Sequence, residues 1–180
     1  MRKIRKLLLS PVGRIARLPF IIGVAALLAL YTAQHFIYPY LDKGMASFFV
    51  PMVFFFLNLH IIFCICGKRL HDLGRTTWPL FGMFALLFMA MMIVGLKFGM
   101  LEYFEAVSNL MSDPELQKDP ELMHAAILPL EEAYKQNLQA NMPKIGPMLA
   151  LVPLAFTIWL ATSPGQKGDN RYGGAPTAKQ

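Results

Sequence analysis

Four stretches of the chain, 18–41, 44–67, 76–96 and 145–166, contain no Lys, Arg, Asp or Glu. A helix rises about 1.5 Å per residue, so roughly 20 apolar residues cross a roughly 30 Å hydrocarbon core. Each run reaches that length. A soluble bundle would need a polar stripe of helical period on each helix, and none of the runs has one. With 56% hydrophobic residues, against roughly 45–50% in soluble domains, the bilayer is the expected solvent. The expectation is an all-α membrane protein of one domain over residues 1–180, with spans at about 18–41, 46–66, 77–97 and 145–163.

The start, "MRKIRKLLLSPVGR", is basic but has too short an apolar core for a signal peptide. Residues 1–9 place Ile4, Leu7 and Leu8 at helical spacing among cations, as a short interfacial helix does. Cys64 and Cys66 lie inside one predicted span, where a disulfide framework is not expected.

Basic residues concentrate on the cytoplasmic side of short loops. Arg2, Lys3, Arg5, Lys6, Arg14 and Arg17 precede the first run, Lys68, Arg69 and Arg75 separate the second from the third, and Lys167, Arg171 and Lys179 follow the fourth. The other side holds Lys43, Lys97, Lys118, Lys135 and Lys144, with acidic residues throughout 101–143. Both termini are therefore expected in the cytoplasm. Trp78 and Trp159 near that face, and Tyr38 and Tyr40 near the other, suit interfacial belts.

The turn Asp42-Lys43-Gly44 is short enough to make spans one and two antiparallel neighbours. The second span is expected to continue as helix to about Leu73, ended by Gly74, with Thr77 and Pro79 starting the third. On that extension Asp72 is spaced to pair with Lys68 and Arg69. The segment 101–143, carrying "DPELQK" and "DPELMH", reads as two or three short helices in an acidic extracytoplasmic insert. The Gly-rich tail 164–180 reads from composition as flexible.

Three separated pieces, "GRIARLPF", "GKRLHDLGRTTW" and "SPGQKGDNRYGGAP", together resemble the small bacterial inner-membrane proteins catalogued as domain of unknown function 805. The matching positions are Gly13, Arg14, Arg17 and Phe20; Arg69, Leu70, His71, Asp72 and Trp78; and Gly165, Gly168, Asn170, Arg171, Tyr172 and Gly173. Lys68 stands where the pattern often has Arg, Pro79 replaces a second tryptophan, and the 101–143 insert is longer than usual. The resemblance implies a bacterial inner (plasma) membrane location and supplies no activity.

All three pieces fall on the expected cytoplasmic side, so Arg14, Arg17, Arg69, Arg75 and Arg171 are expected to form a collar around His71 and Asp72. Lys68, Asn170 and Tyr172 complete the candidate binding set. The competing readings are a topology signal, a structural clasp for a protein partner, a site for anionic phospholipid headgroups, and an enzyme using His71 and Asp72 on a phosphorylated lipid. Inside the second span, Asn58 and His60 are costly in hydrocarbon. Thr32, Gln34 and His35 are candidate partners for His60, and a small transporter using His60 is the remaining alternative. The leading expectation is a non-catalytic binding or scaffolding module on the lipid bilayer, with a membrane-protein partner or a homo-oligomer as further options. No cofactor, metal or nucleic acid is expected.

Overall fold

The computed structural model describes residues 2–41 and 44–176, apart from the side chains of 2–5. The expectations placed on Asp42, Lys43 and Lys179 lie outside the described residues. The helices are α1 (Arg2–Leu9), α2 (Arg17–Ile37), α3 (Met45–Asp72), α4 (Trp78–Lys97), α5 (Met100–Met111), α6 (Pro114–Lys118) and α7 (Pro120–Thr162). A single 3-10 turn, Tyr38–Tyr40, extends α2, and no strand occurs among the described residues. Four segments, Arg17–Tyr40, α3, α4 and α7, are long and apolar enough to cross a membrane.

The ends of these helices follow local chemistry. Asp113 and Asp119 each precede a proline and accept a bond from the backbone N–H two residues on, at 2.9 Å in both cases. The repeated Asp-Pro-Glu therefore starts α6 and α7 alike. At the end of α3, the N–H of Arg75 donates 2.9 Å to Leu70 O and that of Gly74 donates 3.0 Å to His71 O. This pair of bonds is a Schellman ending, which needs a left-handed residue, and Gly74 supplies it at φ 72.

The acidic segment departs from the expectation of separate short helices. Only α5 and α6 are short; from Pro120 the chain is one 43-residue helix that runs into the fourth apolar stretch. Between Glu121 and Lys144 there is no further Asp-Pro start, and Ala, Leu, Glu, Gln and Met favour continuation.

The chain divides into two compact units, Met1–Gly82 with Phe156–Gln180, and Met83–Ala155. In the first, α2 and α3 pack closely because Gly23 has no side chain: a Cβ there would come within 3.1 Å of Ile65. Further along the same pair, Gln34 and Asn58 exchange amide bonds of 2.8 and 3.3 Å. Two amides that satisfy each other remove the cost of a lone polar group in hydrocarbon. In the second unit, Tyr103 of α5 stacks on Tyr134 of α7 at 5.2 Å. Asn137 donates 3.0 Å to Phe98 O beside them.

Candidate functional site

The first unit brings the three motifs together around one carboxylate. Asp72, 3% exposed, receives Arg14 on Oδ1 and Arg69 on Oδ2, and these cations are 7% and 1% exposed. Arg14 Nε and Nη2 lie 3.2 and 3.1 Å from Oδ1. A buried carboxylate facing two guanidiniums leaves an excess positive charge, so the remaining donors need acceptors. Arg14 gives its others to Gln166 O at 2.6 Å, Gly168 O at 2.7 Å and Gly173 O at 3.1 Å. Arg69 gives its others to Leu160 O at 2.9 Å, Ser163 O at 2.7 Å and Ile15 O at 3.3 Å.

Leu160 and Ser163 mark the end of α7, where carbonyls lack helical partners and the helix dipole favours a cation. Arg69 therefore caps α7 while neutralising Asp72. Arg17 adds a bond of 3.2 Å to the same Ser163 O.

The tail from Ser163 to Pro176 is ordered against this cluster, contrary to the flexible reading that its composition suggests. Gln166 N–H donates 2.9 Å to Asp72 O. Gly165 lies so close that a Cβ there would collide with the Asp72 carboxylate. Asn170 and Gly173 form a tight turn with reciprocal backbone bonds of 3.1 and 2.9 Å, made possible by Gly173 at φ 121. From that turn the Asn170 amide donates 2.9 Å to His71 O. Tyr172 lays its ring flat on His71, with centroids 3.9 Å apart and planes 7° apart.

Several expected roles need correction. Arg75 and Arg171 are exposed and do not form a collar around Asp72. Arg75 lies over the Trp159 ring at 5.5 Å, and Arg171 lies over Tyr172 at 4.8 Å, where aromatic faces attract them. Lys68 does not pair with Asp72; its ammonium donates to Lys6 O at 2.9 Å and Leu7 O at 2.5 Å. His71 and Asp72 do not form a dyad, since His71 Nδ1 faces Gly13 O at 3.3 Å and Asp72 is taken by arginines. His60 meets neither Thr32, Gln34 nor His35. Its Nε2 lies 3.2 Å from Leu9 O and 3.4 Å from Cys64 Sγ, while Gln34 is used by Asn58.

The residues missed from sequence are mostly backbone acceptors: Leu160, Ser163, Gln166, Lys6, Leu7 and Leu9. Carbonyls carry no residue signature, so only the unexplained donors pointed toward them. A cavity of about 530 Å³ in the second unit, lined by Glu102, Tyr103, Tyr134 and Asn137 among others, contains none of the expected site residues. No group of three or more His, Cys, Asp or Glu able to hold a metal occurs among the described residues.

An all-helical chain with four membrane-length apolar helices and a buried arginine–aspartate clasp at its motif residues defines a multi-pass membrane protein. It belongs to the family described as Protein of unknown function (DUF805), whose model matches residues 8–174. No curated protein and no solved structure matches the chain.

Proposed function

We propose that this is a non-catalytic binding and scaffolding module of a bacterial inner membrane, with both termini cytoplasmic and the acidic 101–143 segment on the opposite side. The buried cluster is a structural clasp, and the basic surface mounted on it binds anionic phospholipid headgroups. The carrying observation is that Arg14 and Arg69 spend their donors on Asp72 and backbone carbonyls, leaving Arg75, Lys167 and Arg171 exposed.

Sidedness has two independent supports. The charge rule puts the three motifs on one side. Their mutual contacts support the same grouping, because residues joined by hydrogen bonds share one face of a bilayer.

The clasp favours scaffolding over catalysis. The carboxylate that would orient His71 in a His–Asp pair is Asp72, and it is taken by Arg14 and Arg69 instead.

The test is purification in mild detergent followed by analysis of bound lipid and protein. Replacing Arg75, Lys167 and Arg171 together with Gln should remove most of the retained anionic lipid while the thermal transition stays in place. Undiminished lipid in that variant would overturn headgroup binding, and a stoichiometric protein partner without lipid would assign the surface to protein instead.

A further inference from the structure

We infer that α1 is a membrane wedge: His60 and Lys68 cap its C-terminal end against α3, holding the turn after it within a leaflet whose anionic phospholipids its basic residues bind. Placement in the membrane is shared with the reading above; the exposed cations Arg75, Lys167 and Arg171 are not part of it.

The last carbonyls of a helix have no partners within the helix. In α1 they are taken by side chains of α3: Lys68 Nζ bonds Lys6 O and Leu7 O, and His60 Nε2 lies 3.2 Å from Leu9 O. A carbonyl only accepts, so the His60 proton sits on Nε2. Donating to a helix end gives this histidine a role that transport does not require.

His60 lies seven positions before Gly67, where the charge-free run ends, or about 10 Å along the helix. Water does not reach carbonyls at such depth, so side chains must satisfy them. Interfacial helices bury their apolar face about 5–10 Å, which matches the level of this contact.

The exposed side chains around it suit lipid. Leu9 is 46% and Val12 76% exposed, on either side of Ser10-Pro11. The Leu9 carbonyl is held toward α3 while its side chain faces outward. Arg2, Lys3, Arg5 and Lys6 make the α1 sequence strongly basic, and that charge suits an anionic leaflet.

A fluorophore attached through Leu9→Cys reports the depth directly, with the parent protein controlling for labelling of the buried Cys64 and Cys66. The protein is reconstituted into vesicles of phosphatidylcholine alone or with phosphatidylglycerol. Brominated acyl chains should quench the label and iodide should not, with stronger lipid quenching in the anionic vesicles. Replacing Arg2, Lys3, Arg5 and Lys6 with Gln should abolish the difference between vesicles. His60→Leu should expose the label to iodide, and His60→Gln, which restores a donor, should shield it again.

A Leu9→Cys label open to iodide in the otherwise unchanged protein would overturn the wedge. Equal quenching in both vesicles would overturn its anionic preference, and an unchanged depth in His60→Leu would overturn the role of His60. Neutralising Arg75, Lys167 and Arg171 should leave the depth unchanged, so failure of the headgroup surface and failure of the wedge are read separately.

Discussion

The ring of Tyr172 lies parallel to that of His71 at 3.9 Å, although the two belong to motifs far apart in the sequence. Aromatic pairs contribute about 0.5–1.5 kcal/mol beyond the area that they bury. Tyr172→Phe should therefore leave the thermal transition in detergent unchanged. Tyr172→Ala should lower stability by about 1 kcal/mol and increase proteolysis within 164–176; equal behaviour of the two variants would show that the stack contributes nothing.

Asp72 is the carboxylate that both clasp arginines share. Removing one partner of a buried ion pair costs about 3–5 kcal/mol, because the remaining charges are left unmatched. Asp72→Asn keeps the shape and loses the charge, so it should destabilise the protein by that amount and release the tail. Chemical denaturation in mild detergent, with the tail followed by limited proteolysis, measures both effects.

Gly165 and Gly168 form a matched pair of tests. A Cβ at Gly165 would collide with the Asp72 carboxylate, whereas nothing lies within 4 Å of one at Gly168. Gly165→Ala should detach the tail and lower the thermal transition, and Gly168→Ala should do neither. A tail that remains protected from protease in Gly165→Ala would contradict the close approach.

For Gln34 and Asn58 a double-mutant cycle applies. Coupling between polar side chains in membranes averages about 0.6 kcal/mol and reaches about 1.7. Each single Leu substitution should cost more than the double one, since a single change strands the other amide. A coupling energy of zero would mean that the pair does not hold α2 against α3.

Sidedness has its own measurement. Reporter domains inserted near residue 120 and fused at the C-terminus should report opposite compartments. Both reporters on one side would break the proposed arrangement.

What the sequence reveals depends on how each signal is encoded. The four spans are legible because the absence of charge over about 20 residues is a local property, and Gly74 and the two Asp-Pro starts are legible because caps use particular residue types. The pairing of Asp72 with Arg69 follows from spacing, but that with Arg14 does not, because nothing local records a partner 58 positions away. Lys68 looks like Asp72's partner by spacing, yet it serves the end of α1. The tail has the composition of a linker because its glycines are chosen for close approach and turning, as at Gly165 and Gly173. Composition reads such glycines as freedom.

The bonds from Arg14 to Gln166, Gly168 and Gly173 span 152 to 159 positions. During synthesis, Arg14 and Asp72 emerge long before those acceptors exist, so the clasp closes only when the final motif has left the ribosome. Until then the nascent chain carries an incompletely satisfied charged cluster at the end of its second span. Loss of the residues that carry these carbonyls should therefore act on the clasp as a whole, because Arg14 and Asp72 would stay buried with part of their hydrogen bonding gone.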